Sequence, residues 1–218
     1  GTLTSRNNLA SAYRASGRLQ DAITLHQQNL KDSTRILGAN HPGTLTSRNN
    51  LAGAYHDAGR LDEAIPLYEQ NLKDFTSILG PDHPGTLTSR NNLAGAYWQT
   101  DRLDKAITLY EQNLKDRIHI LGPHHPDTLT TQVNLAVAYR TAGRLDEAIS
   151  LQEQTLKDFE NLLGPNHPLT LASRHNLADA YRAAGRIEDA DKLFETPSDS
   201  EEDEQNGSKD NPDQETDN

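Results

Sequence analysis

The word at positions 43–84, GTLTSRNNLAGAYHDAGRLDEAIPLYEQNLKDFTSILGPDHP, recurs along the chain at a constant interval. Gly1, Gly43, Gly85, Asp127 and Leu169 open successive copies 42 residues apart, and the fifth copy is cut short. A fixed period of about 20 to 50 residues marks an array in which each unit buries its apolar face against its neighbours. Stability then resides in nearest-neighbour interfaces rather than in one central core. The chain divides accordingly into repeats 1–42, 43–84, 85–126 and 127–168, a partial capping repeat 169–195, and a segment 196–218 of different composition.

Each copy contains two helical patterns. Leu45, Leu51, Ala52, Ala54 and Tyr55 form the apolar stripe of a helix, spaced as a period of 3.6 requires. Pro42, Pro84, Pro126 and Pro168, each preceded by His, are placed to open these helices, because Pro at the first helical position gives up an N–H that has no partner there. Gly17, Gly59, Gly143 and Gly185 stand where a left-handed residue closes a helix. Asp101 replaces that glycine in the third copy, which predicts the loosest turn of the series. A second helix runs from Asp62 to Leu79 with Leu61, Ala64, Ile65, Tyr68, Leu72, Phe75 and Leu79 on one side. Asp62 and Glu63 suit its N-terminal dipole, and Gly80-Pro81 ends it. Pro66 lies near enough to the start to adjust locally rather than break it. Repeated antiparallel helix pairs predict an all-α fold, a right-handed α-solenoid. In the fifth copy Asp191 takes the place of an aliphatic residue, as a terminal repeat needs a polar outer face.

Charge narrows the partners. The net charge is −11, and 196–218 carries −8 of it, which leaves the repeats close to balance. Nucleic acid is therefore not expected, since phosphate binding requires a basic face. The segment 196–218 has no aliphatic residue with which to offset the entropy of ordering, so it is expected to be disordered. No apolar run approaches the roughly 18 residues needed to cross a bilayer. The absence of Cys excludes disulfides and thiolate metal sites and fits a cytoplasmic location. The chain starts in mid-repeat without Met and reads as a segment of a longer protein.

A small-residue turn followed by Gly-Arg-Leu-Asp-Glu-Ala, with Leu-Ala three residues before Tyr in the first helix, resembles the tetratricopeptide repeat. The 42-residue length and the words Leu-Gly-x-x-His-Pro and Asn-Asn-Leu-Ala are similar to the long variant of kinesin light chains. That variant also occurs in the C-terminal arms of bacterial and fungal signal-transduction NTPases of the NB-ARC type. The resemblance covers Gly1 to about Phe194 and implies a scaffold that binds protein partners.

Several recurring residues are candidates for chemistry. His41, His83, His125 and His167 lie about 10 Å apart along a solenoid, too far to share a metal shell, so they are read as helix starts and no metal or cofactor is expected. Asn8, Asn50, Asn92, Asn134 and Asn176 precede the core Leu in every copy, and are expected to pair with backbone between packed helices. The preceding position holds Asn7, Asn49, Asn91, Val133 and His175. The resemblance implies that it faces a concave groove, where matching asparagines of kinesin light chains bond to peptide backbone. Seven residues further on stand Arg14, His56, Trp98, Arg140 and Arg182, and Arg and Trp are the residue types most enriched at binding hot spots. Arg6, Arg48, Arg90 and Arg174, with Gln132 in the fourth copy, are expected to pack their stems on the helix pair and reach an acid on the second helix.

No Gly-rich phosphate loop, Cys nucleophile or His-Glu-x-x-His helix occurs, so no catalysis is expected. The expected function is a scaffold whose groove takes a peptide or partner segment, acidic in character, gripped by Asn7, Asn49, Asn91 and His175 and by Arg14, His56, Trp98, Arg140 and Arg182. The alternative is a regulatory or oligomerisation arm of a larger signal-transduction NTPase. The acidic segment beside an Arg-lined groove suggests an intramolecular competitor for the ligand.

Overall fold

The computed structural model describes residues 2–195. They form ten helices: α1 (Leu3–Ala15), α2 (Leu19–Leu37), α3 (Pro42–Asp57), α4 (Leu61–Leu79), α5 (Pro84–Gln99), α6 (Leu103–Leu121), α7 (Pro126–Thr141), α8 (Leu145–Leu163), α9 (Pro168–Ala183) and α10 (Ile187–Lys192). Each helix packs on the next in sequence, so that five helix-turn-helix units stack into an all-α solenoid. The segment 196–218 lies outside the described residues, and so does the expectation placed on it.

The punctuation of the sequence does what its chemistry dictates. His41, His83, His125 and His167 cap the first helices, each accepting at Nδ1 the backbone N–H two residues on, at 3.0 to 3.2 Å. Proline follows at the first helical position in all four. Gly59 adopts φ 70°, and Asp101 takes the same left-handed conformation at φ 59°. The Arg after this turn lies over the ring of the preceding Tyr, as Arg60 does on Tyr55 at 4.7 Å. That cation–π contact accounts for the Arg that follows this turn in all five copies. Pro66 sits inside α4 without interrupting it.

The core consists of two clusters of small and large residues at repeat spacing, one from Ile23 to Ala138 and one from Ile149 to Ala190. Ala52, Ala64, Ala94, Ala106, Ala136 and Ala148 are fully buried at the helix crossings, and Tyr68, Leu87, Leu93 and Tyr110 fill the space beside them. The tyrosine that ends each first helix reaches back to the previous repeat: Tyr97 to Glu69 at 2.5 Å, Tyr139 to Glu111 at 2.8 Å, Tyr181 to Glu153 at 2.6 Å. Inside each of the first three repeats an Arg of the first helix meets an Asp of the second: Arg6 with Asp32, Arg48 with Asp74, Arg90 with Asp116. Arg174 instead reaches back to Glu160 of the preceding repeat at 2.8 Å.

Candidate functional site

First helices of neighbouring repeats approach each other more closely than second helices do, α3 against α5, α5 against α7 and α7 against α9. The side on which helices crowd is the inside of the curve, so the concave face is built by first helices. The candidate residues form two rows that run from one first helix to the next.

The row of asparagines is bonded to itself. Asn50 donates its amide to Asn7 Oδ1 at 2.8 Å, and Asn92 donates to Asn49 Oδ1 at 3.3 Å. The expectation that Asn50 and Asn92 pair with backbone is corrected: each grips a side-chain carboxamide of the previous repeat. The physical reason is reach, because the backbone of a neighbouring first helix already bonds to itself. The ladder fades toward the C-terminal end. Among the described residues Asn91 Oδ1 is buried without a partner, and Val133 offers Asn176 no acceptor. His175 Nδ1 lies 2.8 Å from the Leu171 carbonyl of its own helix, and its ring packs on Phe194 at 5.0 Å.

The second row is laddered as well. Arg14 bonds to Asp57, and His56 sits beside Gln99 with its ring edge-on to Tyr68 at 6.2 Å. Trp98 Nε1 donates to Thr141 Oγ1 at 3.0 Å. Burial holds the His56 imidazole below its ordinary pKa, a shift the Asp57 carboxylate opposes, so at neutral pH it is an uncharged member of the row. Arg140 breaks the series. Ala183 stands where Asp57, Gln99 and Thr141 serve the earlier copies, and among the described residues the buried Nε of Arg140 has no hydrogen-bond partner. Arg182 lies 3.7 and 3.8 Å from the exposed Asp191 and Asp179.

Sequence reasoning singled out the residues of both rows and missed what ties them. Asp57, Gln99 and Thr141 each sit one residue beyond the variable column, and only the stacking register reveals them as partners. It also missed a cavity of about 660 Å³ between α7, α8 and α9, whose lining includes Leu129, Val133, Phe159, Leu162, Leu169 and Ala172. The signal was the column Gly43, Gly85, Asp127, Leu169, read only as a repeat boundary. Among the described residues no group of three or more His, Asp or Glu is placed to hold a metal, and no helix is long and apolar enough to cross a membrane.

Comparison with known proteins agrees with this architecture. The family profile described as tetratricopeptide repeat matches residues 1–73, 47–117, 91–161 and 127–196. No curated protein sequence matches the chain. Among solved structures, a putative kinesin light chain of Podosopora anserina with nearly identical TPR-like repeats is 35% identical. The alignment covers 88% of this chain and 91% of that one at a TM-score of 0.80. BtubC (BKLC) from P. vanneervenii, 23% identical, aligns over 96% of this chain and 83% of its own with a TM-score of 0.76. A Rap protein in complex with Competence and Sporulation Factor shares the fold at 13% identity and a TM-score of 0.70, over 87% of this chain and 51% of that one. With the family profile spanning nearly the whole length and helix pairs stacked as its repeats require, the chain belongs to the tetratricopeptide repeat family.

Proposed function

We propose that this chain is a protein-interaction scaffold whose concave face receives an extended, acidic partner segment, with Trp98 and Arg140 at the centre of the contact. One observation supports the reading: among the described residues Arg140 is the member of its row whose buried Nε finds no partner, while Arg14, His56 and Trp98 all have neighbours in the next repeat. A cation set into a half-buried surface with no counter-charge gains most from a carboxylate supplied by a ligand, through a charge-assisted and frequently bidentate bond. Trp98, half-buried one repeat earlier in the same row, supplies apolar area beside it. Both are residue types that dominate binding energy where they are central. An affinity in the micromolar range corresponds to about −8 kcal/mol.

The test is a quantitative pull-down with the full chain and with a Trp98→Ala/Arg140→Ala variant, at low and high salt. Partners retained by the wild-type chain should be lost from the variant and should release as salt rises. An unchanged partner set overturns the assignment. A role as an arm of a larger signal-transduction NTPase is supported by the near identity of the copies, and is decided by whether G-x-x-x-x-G-K-[ST] lies upstream in the same reading frame.

A further inference from the structure

On the other side of the solenoid the second helices of neighbouring repeats stand apart, and the first helix between them floors the gap. Between α6 and α8 this gap is a groove of about 830 Å³. Leu114, Leu135, Tyr139 and Leu151 form its floor and belong to the packed core beneath. Asp146, Glu147 and Glu153 stand along one wall, all on α8. None of the lining residues belongs to the two rows described above.

The corresponding site one repeat earlier, on α5 and α6, holds about 370 Å³. Leu93, Tyr97, Asp104 and Leu109 line it, each 42 places before Leu135, Tyr139, Asp146 and Leu151. The difference is Lys105, whose Nζ lies 5.3 Å from the centre of the Tyr97 ring. Glu147 takes its place in the next repeat and is bonded at two points to Arg144, which itself lies over the Tyr139 ring at 4.3 Å. One substitution thus reverses the charge beside the floor and leaves the floor open. Among the described residues Asp146 makes no ion pair, in contrast to its neighbour Glu147. Glu153 spends one oxygen on the Tyr181 hydroxyl at 2.6 Å, and its second oxygen is uncommitted among those residues. Lys157, one turn further along α8, ends the acidic stretch.

We infer that this groove docks a basic amphipathic helix of a partner protein. Its apolar stripe lies on Leu114, Leu135 and Leu151, and its Lys or Arg residues meet Asp146 and Glu153. The sign follows from charge complementarity, and the long stem of a basic side chain packs on leucine while its head reaches the rim. The helical form follows from spacing. Asp146 and Glu153 lie seven residues apart on α8, about 10 Å along its axis. Residues on one side of an extended chain are about 7 or 13 Å apart, and neither distance matches. Residues seven apart on a helix share a face and span about 10 Å. Residues 196–218 carry nine Asp and Glu against one Lys, so the complement is not found there. The inference is independent of the concave-face reading and lets the chain join two partners, one on each side.

The experiment selects a phage-displayed library of a single amphipathic helix, randomised on one face, on the full chain. The enriched sequences are then titrated as fluorescent synthetic peptides against wild type and four variants, each checked for an unchanged melting profile by circular dichroism. Glu147→Lys copies Lys105, and Asp146→Asn/Glu153→Gln removes two charges while keeping the shape. Glu63→Lys makes the same charge change at the corresponding place of the second repeat, and Trp98→Ala/Arg140→Ala alters the concave face. The expected result is enrichment of Lys or Arg seven residues apart beside apolar positions. Affinity should fall tenfold or more in each of the first two variants and stay unchanged in the last two. An equal loss in Glu63→Lys, which reports general attraction to an acidic chain, overturns the inference. So do peptides indifferent to either of the first two variants, an absence of enrichment, or self-association of the chain abolished by Glu147→Lys. Peptides that respond only to Trp98→Ala/Arg140→Ala also overturn it and leave the concave-face reading standing.

Discussion

Arg90 meets Asp116 at 2.5 Å across the two helices of the third repeat, with side-chain exposures of 9% and 18%. Gln112 donates to the second carboxylate oxygen at 2.8 Å. Removing one partner of such a pair leaves the other charge buried and uncompensated. Asp116→Ala should therefore destabilise the fold by about 3 kcal/mol, measured as a lowered urea midpoint. Replacing both partners, as Arg90→Met/Asp116→Leu, should restore most of the loss.

Gly85 and Phe75 form a lock of a different kind. Gly85→Ala places a methyl 2.6 Å from the Phe75 ring, and overpacking of this sort costs about 1 to 3 kcal/mol. Gly43→Ala meets only the side chains of His41 and Leu37, at 3.2 and 3.3 Å, and should be close to neutral. Thermal melting of the two variants distinguishes them. Phe75→Ser, which copies Ser33, should rescue part of the Gly85→Ala loss.

Asp101 holds a conformation that glycine holds in the other four turns of its kind. Asp101→Gly relieves the clash of a Cβ in the left-handed region. It should stabilise the chain by about 0.5 to 1 kcal/mol despite the added freedom of the unfolded state. Hydrogen exchange of the Thr100 to Arg102 amides should slow in parallel.

Stability should fall at both ends of the pH scale. Burial pushes Tyr97, Tyr110, Tyr139 and Tyr181 up to about 12, reinforced in all but Tyr110 by a bond to a glutamate. Between 10, the ordinary value, and 12 the folded chain keeps protons that the unfolded chain releases, so stability present below pH 10 is lost as pH rises through that window. Burial holds the imidazoles of His26 and His56 below their ordinary 6.5. As pH falls below 6.5 the unfolded chain takes up protons first, and stability declines there too. Urea midpoints across pH should trace both limbs. Tyr110→Phe should flatten the first, and His26→Gln, which copies Gln152, should flatten the second.

Architecture was legible because stacking repeats its demands. Leucine, alanine, His-Pro and glycine recur wherever a crossing, a cap or a left-handed turn recurs, and each was assigned from its spacing alone. The two rows were legible as columns that vary while their neighbours do not. Partnerships between repeats were not. Nothing in the spelling of Asn50 points to the carboxamide of Asn7 rather than to backbone, because the choice depends on the offset between stacked helices. The cavity escaped notice for a related reason: it arises from the joint identity of Phe159 and Leu169, which stand ten residues apart in sequence and become neighbours only once α8 turns into α9.

The bonds between first helices join residues 43 apart, Asn7 to Asn50, Asn49 to Asn92, Arg14 to Asp57, Trp98 to Thr141, in a chain whose period is 42. Each bond advances one residue per repeat, about 1.5 Å and 100° around the helix, so the rows run obliquely like the thread of a screw. Duplicating or deleting whole 42-residue units lengthens or shortens this thread and leaves its pitch untouched. A single-residue insertion within a first helix would instead put the bonds on one side of it out of step by one place with those on the other. Copy number and twist are thereby independent variables, and a scaffold of this design can change its reach without recutting the surface that a partner must follow.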